Sequence, residues 1–547
     1  MESLELQESV AVAPAKFRWR AEILAAGFFA LLFVQVWHHT LWRDEIRPWQ
    51  IARECHSFSD MVFAMRYDGV PVAWNWLVYV LTRVSGNPFS LQLLHLLIAT
   101  TTVYLVARFA PFPFAARLLF AFGYFPFFEY ATITRNYALV FLLVILACIL
   151  ISRPRVRMMW LSVAMLVLTQ TSIWGAGLAA LLSAAAAIKA WLGPRALRPR
   201  PWQLGLAGAI VSVGVLLCAW EVQPGPGASF TGSWANVPAS LRALGMFTAV
   251  FRGWVPIPQI SLHFWNTNIL DLGGAIVEKS TSHLATSYLL QGAIGLMIFP
   301  LVLMIFLPRP VSFVVLFSGC CALLGFEFVF RGAPRHHGHL FMLVVAANWL
   351  TYSTPLLNPR SERARRWLGQ LDRLRPLGFI VLLTLGAAGG VTAAIQGMCY
   401  PFSQSRATGE YIRRNFPPDM PVIGVVDYSA APISYWLGRP IFYPQEMKLA
   451  TYNTQNDAER SQGLDFPRLM TSIVGYAAHS QRPTIFIFTS GFLLKDKEVS
   501  MDVLYNNEVR TYKFSEVARF EGGVVSDEDA VIYLITRQTP SPARNLQ

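Results

Sequence analysis

Eleven apolar runs near the length of a membrane helix leave this chain few folds to choose from. They begin near Glu22, Phe89, Ala115, Tyr137, Met158, Ile173, Gln203, Thr286, Val311, His339 and Leu377. A helix needs about 20 apolar residues to cross the hydrocarbon core. In that core only helices and closed barrels satisfy their own backbone groups. With 54% hydrophobic and 14% charged residues over 547 positions, one soluble core could not hide so much apolar surface. The expected fold is therefore mainly α: a cytoplasmic tail over 1–20, a multi-pass transmembrane helical domain over 21–397, and a small extracytoplasmic α/β domain over 398–547.

Charge fixes the expected orientation. Residues 1–397 carry 30 Lys plus Arg against 16 Asp plus Glu, while residues 398–547 carry 15 against 16. The basic excess belongs to the apolar part, which argues for membrane topology and against nucleic acid as its cause. With the N-terminus inside, 19 of those 30 cations fall on cytoplasmic segments, among them Arg153, Arg155 and Arg157 and the six arginines from Arg360 to Arg375. Segments 42–88, 128–136, 222–285 and 331–338 and the C-terminal domain then lie outside. The Pro- and Gly-rich stretch 222–285 reads as a loop with short interfacial helices. Cys148, Cys218, Cys320 and Cys321 sit inside apolar runs, so no disulfide framework is expected. The chain has no N-x-[ST] acceptor, which favours a bacterial cytoplasmic (inner) membrane.

From Tyr400 onward the pattern changes to short β-rich runs, VIGVVDY, PIFYP, TIFIFTS, VRTYKF and AVIYLIT, with helices expected at 405–415, 430–437 and 464–479. No phosphate-binding glycine fingerprint stands among them.

The first span runs into Arg43-Asp44-Glu45-Ile46-Arg47. A carboxylate just beyond the lipid core is cheap, so an interfacial acid paired with Arg43 or Arg47 would need no function. The same face, however, also collects Glu129, Arg135 and Tyr137, and then Glu327, Arg331, Arg335, His336 and His337. Arginines fork two hydrogen bonds onto phosphate oxygens. A carboxylate can take the proton of an attacking hydroxyl. The set suits a reaction between a phosphate-bearing lipid and a nucleophile. Ordinary ion pairs compete for the same residues: Arg135 with Glu129 across a turn, and Arg331 with Glu327 four positions earlier.

Three stretches carry a family resemblance: Asp44-Glu45 after the first span, Gly69-Val70-Pro71-Val72-Ala73-Trp74, and Arg135-Asn136-Tyr137-Ala138-Leu139. Together they resemble the C-type (GT-C) glycosyltransferases, specifically the bacterial protein O-mannosyltransferase and aminoarabinose transferase-like family. The resemblance covers residues 20–160 well and 325–350 loosely. Two departures touch the site: Thr132-Ile133-Thr134 replaces the family's Gln-Glu-Ala before Arg135, leaving Glu129 as the substitute acid, and His336 stands where the family has Tyr.

The resemblance implies transfer of a sugar from a polyprenyl-phosphate-linked donor to an acceptor hydroxyl on a glycan, lipid or protein at the outer face, with membrane lipid as surroundings. Asp44 would be the general base, with Glu45 completing the motif, and Arg135 with Arg331 or Arg335 would bind the donor phosphate. Glu129, Tyr137, His336 and His337 would line the substrate site. A divalent cation, where one is used, would be sought at Asp44, Glu129 and His337. Three rivals stand beside this expectation. A transporter or flippase of lipid-linked saccharides would place charge at mid-bilayer depth. A glycan polymerase or ligase of another fold would leave the early Asp-Glu pair unexplained, and a non-catalytic anchor would make the outer cluster a coincidence.

Overall fold

The computed structural model describes residues 18–223, 225, 227, 237–271, 281–456, 466–480, 482–490, 496–505 and 508–538. The membrane part is built from α1 (Arg18–His38), α2 (Arg43–Glu54), α3 (Phe58–Ala64), α4 (Val72–Val84), α5 (Phe89–Phe109), α6 (Phe114–Ala121), α7 (Tyr137–Ser152), α8 (Met158–Thr169), α9 (Ile173–Leu192), α10 (Pro201–Glu221), α11 (Ala239–Trp254), α12 (Thr281–Phe306), α13 (Pro310–Val329), α14 (Pro334–Leu350) and α15 (Glu362–Cys399). Seven of these, α1, α5, α9, α10, α12, α13 and α15, are long and apolar enough to cross a membrane.

The other four of the eleven runs form shorter helices: α6, α7, α8 and α14. α14 is buried along nearly its whole length, so its neighbours rather than lipid satisfy it, and it tolerates three histidines near its start. α6 ends at Ala121, and after Phe122 and Gly123 the chain passes into one π-helical turn, Tyr124–Glu129, whose side chains are all buried. α15 passes close by that break. A Cβ on Gly390 would lie 2.2 Å from the Phe122 carbonyl oxygen, and one on Gly389 would lie 2.1 Å from that of Pro256. Such close backbone approach is the usual use of small residues between membrane helices. Here it presses the turn that carries Glu129 against the bundle.

The segment expected to be a loop over the membrane is more ordered than its composition suggests. Its described part holds the 16-residue helix α11, which buries Thr248, Phe251 and Trp254 and packs on α12 and α14. The stretch after it is anchored too: the Gln396 side-chain amide donates to the Gln259 carbonyl at 3.0 Å, and Ser261 N–H donates back to the Gln396 side chain at 2.7 Å. Residues 228–236, with most of the GASFTGSW run, lie outside the described residues. All six cysteines are free thiols.

The C-terminal domain adds α16 (Ser405–Asn415), α17 (Asp427–Leu437) and α18 (Phe466–Ser480) to one seven-stranded sheet. Its strands are β1 (Val422–Val425), β2 (Ile441–Tyr443), β3 (Lys448–Ala450), β4 (Thr484–Thr489), β5 (Glu498–Tyr505), β6 (Glu508–Phe520) and β7 (Ala530–Arg537), in the order β3-β2-β1-β4-β7-β6-β5. β1 runs parallel to β2 and β4, and the remaining pairs are antiparallel. The five expected strands and three expected helices are all present. β3 and β5 are additional: β3 has only three residues, and β5 alternates polar Glu498, Ser500 and Asp502 with apolar Val499, Met501 and Val503.

Candidate functional site

α1 ends at His38, the chain turns through 39–42, and α2 starts at Arg43. Glu45 makes that turn possible. It is fully buried and reaches back so that the Trp42 N–H donates to Oε2 at 3.0 Å, the third-position carboxylate of a capping box. The same oxygen lies 2.8 Å from His39 Nε2, and the Thr134 N–H donates to the other. Glu45 thereby ties the start of α2 to the 132–135 segment. It faces the protein interior, with both oxygens already engaged.

Asp44 points the other way and pairs with the Arg135 guanidinium. Arg43 and Arg47, the partners that a purely interfacial acid would use, are committed elsewhere, to Asp527 and Asp68 respectively. Burial works to raise the Asp44 pKa, but Arg135, Arg335 and Arg43 outweigh it and hold the carboxyl below its ordinary value. Asp44 is therefore ionised at neutral pH. Its side chain stays 25% exposed, which leaves room for a substrate to meet it.

Arg135 is set in place through its backbone. Its N–H lies 3.2 Å from Nε2 of His95 on α5, and His95 Nδ1 lies 3.0 Å from the Ala131 carbonyl. The guanidinium stands 5.7 Å from the Tyr137 ring. The expected Arg135–Glu129 pair across the turn does not form, since Asp44 takes that guanidinium. Glu129 instead accepts from Tyr124 Oη at 3.0 Å and from Trp265 Nε1 at 3.1 Å.

Arg335 completes the group from α14. Its carbonyl accepts from Tyr130 Oη at 2.6 Å, which fastens the helix start to the 124–130 turn. Its guanidinium is within electrostatic reach of both Asp44 and Glu129, and its Nε is buried without a hydrogen-bond partner. A buried donor left open in this way costs about 1–3 kcal/mol unless water or a ligand atom meets it.

The remaining expected residues divide. Tyr137 and His336 pack edge to face at 5.9 Å, and the His336 ring lies against Trp174 at 5.0 Å. His336 Nδ1 accepts the Ala333 N–H at 2.9 Å, so the residue caps α14 as well as packing against Tyr137 and Trp174. His337 is turned away from them, with Nε2 3.5 Å from Glu327 Oε2. Arg331 is exposed and donates to Tyr288 Oη. It does not join Arg135 and Arg335 around Asp44. The proposed cation set of Asp44, Glu129 and His337 is not assembled either: among the described residues no three His, Cys, Asp or Glu side chains converge as a metal ion requires. His336 and His337 are consecutive on a helix, so they cannot face one way.

Sequence reasoning missed several members. Asp68 pairs with Arg47, lies within electrostatic reach of Asp44 and Arg135, and keeps one buried oxygen without a partner. His39, His95, Tyr124 and Trp265 hold the acids and Arg135 in position. Asp68 directly precedes the Gly-x-Pro stretch, which was the one available signal; the others lie in apolar surroundings that read as core.

No protein-family model and no curated protein matches the chain. Two solved structures are similar to it: ArnT from Cupriavidus metallidurans bound to undecaprenyl phosphate, at 14% identity and a TM-score of 0.45, and the same protein in the apo state, at 13% and 0.44. Each match covers 95% of this chain and 98% of that chain.

Proposed function

We propose that this protein is an integral membrane glycosyltransferase that moves a sugar from a polyprenyl-phosphate-linked donor to an acceptor hydroxyl at the outer face of a bacterial inner membrane. The observation that carries the proposal is the pairing of Asp44 with Arg135, joined by Arg335 from a third, distant segment. A structural ion pair needs one cation; a site that must hold a phosphodiester against a carboxylate base needs more positive charge than the base neutralises. Arg335, with its open Nε, is that surplus.

In this account the donor phosphate takes up Arg335 and draws Arg135 away from Asp44. A carboxylate that loses its cation becomes a better proton acceptor. Asp44 then accepts the proton of the acceptor hydroxyl as its oxygen bonds to the anomeric carbon. The bond from that carbon to the phosphate oxygen breaks, and the electron pair leaves with polyprenyl phosphate. Arg135 and Arg335 stabilise the charge gathering on the leaving group. A phosphate leaves without help from a strong acid, so Glu129, held by Tyr124 and Trp265, need not donate a proton. Whether glycan, lipid or protein supplies the hydroxyl, the same base serves.

The test is Asp44→Asn in proteoliposomes carrying a polyprenyl-phosphate hexose or pentose donor, with cell-envelope extract as acceptor. Transfer is expected to fall by about 10²–10⁴-fold, the worth of a positioned base, with folding intact. Wild-type turnover in that variant would remove Asp44 from the role.

A further inference from the structure

α2 carries a stripe of four polar residues, Arg43, Arg47, Gln50 and Glu54, at the i, i+4, i+7 and i+11 spacing that places them on one helical face. Every one of them bonds to the C-terminal domain, some 400 residues later in the chain. The Arg43 guanidinium donates to Asp527 Oδ2 at 2.7 Å and lies 5.0 Å from the Tyr428 ring. Arg47 Nε donates to the Asn453 carbonyl at 3.1 Å. Gln50 Nε2 donates to the Ala431 and Thr451 carbonyls at 3.0 and 2.7 Å, and Thr451 Oγ1 donates to Glu54.

The tightest of these joints is at the start of the helix. Glu528 is fully buried, and one of its carboxylate oxygens accepts the backbone N–H of Arg43 at 2.9 Å while the other accepts from Ser403 Oγ. The first N–H groups of a helix have no partner inside it and attract negative charge. Here a carboxylate from the soluble domain meets that need. The residue it fixes is the immediate neighbour of Asp44.

We propose that Glu528 is a positioning residue for the transfer reaction: acting through Arg43, it lets the C-terminal domain set the direction in which α2 presents Asp44. The proposal rests on the base role of Asp44, but the geometry it asserts can be measured without it. Glu45 pins α2 from the membrane side and Glu528 pins it from the soluble side. Asp44 lies between the two pins, and an acid held at both neighbours keeps its aim.

The experiment uses the full-length protein in proteoliposomes and compares Glu528→Ala, Glu528→Gln and Asp44→Asn. Glutamine keeps an oxygen for the Arg43 N–H; alanine does not. For Glu528→Ala, hydrogen exchange in the first turn of α2 is expected to rise about 10-fold or more, with the strands of the sheet still protected. Turnover should fall by about 10- to 100-fold at unchanged donor KM, the cost of a small misplacement. Glu528→Gln should restore both readouts to near wild type. The proposal is overturned by unchanged exchange in α2, by unchanged turnover once α2 has loosened, or by loss of sheet protection in the alanine and glutamine variants alike. Wild-type turnover in Asp44→Asn would instead sink the base role, while the exchange data still decide whether Glu528 holds α2.

Discussion

Arginines gather in two quite different settings in this protein. At the loop between α7 and α8, Arg153, Arg155 and Arg157 are all exposed around an open cleft with Trp160 and Gln203, and none forms a salt bridge among the described residues. Around α2, Arg135 and Arg335 are enclosed with Asp44 and Glu129, and Arg43 and Arg47 are each paired with a carboxylate. Both sets were legible in the sequence as basic clusters, yet their physics differs. An exposed guanidinium keeps its hydration and needs no protein partner. An enclosed one needs partners, and at Arg335 Nε the protein supplies no hydrogen bond. Enclosure, more than charge, separates a site from a topology signal.

That contrast can be broken by substitution. Arg135→Ala is expected to lower transfer by about 10²–10³-fold, the range for losing one preorganised donor to a developing oxyanion, and to weaken donor binding. It also removes the main force holding the Asp44 pKa down, so the acid limb of the pH–rate profile should move to higher pH. An unchanged donor affinity would return Arg135 to a structural pair.

Enclosure should show in stability too. Burial pushes Glu528 up to about 7, above its ordinary 4.5, despite Arg43 beside it. Between those values the unfolded chain has released a proton that the folded protein keeps. Stability therefore falls as pH rises from about 4.5 to about 7, by up to ~3 kcal/mol from this group. Asp529, pushed up to about 6 by burial, contributes in the same direction. Thermal unfolding of the C-terminal domain in detergent should show its midpoint declining over this window, and Glu528→Gln should flatten the decline; a slope unaffected by the substitution would contradict the assignment.

Smaller effects sharpen the other side. Arg331→Ala removes an exposed contact to Tyr288, and a change of about threefold or less in turnover is expected, as for exposed polar pairs worth ~0–1 kcal/mol. A large loss of donor affinity there would place Arg331 in the site after all. Arg155→Ala, at the exposed cluster, should leave turnover unchanged while the group around Asp44 is intact.

The runs were readable because apolar length is a local property: each of the eleven is helical, and seven of them are long enough to cross a membrane. The site was readable in part. Asp44 and Arg135 stand out because a charge beside an apolar run is conspicuous, and their meeting follows once both lie on one face. Their supports were hidden for the opposite reason. Glu45 looks identical in kind to Asp44, and only the turn at 39–42 decides which of the two faces inward. Glu528 sits in an acidic Asp-Glu-Asp triplet that reads as a solvated surface. Its burial depends on a domain contact spanning 485 positions, which no window of sequence contains. His337, named with Asp44 and Glu129 as the place to seek a cation, stands instead against Glu327, while its neighbour His336 packs on Trp174.

The most direct test of the central claim follows the lipid itself. Wild-type and Asp44→Asn proteins are loaded with a polyprenyl-phosphate sugar labelled in both parts, mixed with envelope extract, and sampled for free polyprenyl phosphate and for sugar on the acceptor. The account predicts that the two products appear together in the wild type and that both vanish in the variant. It would be contradicted by an intact donor crossing the bilayer uncleaved, or by equal release from the two proteins.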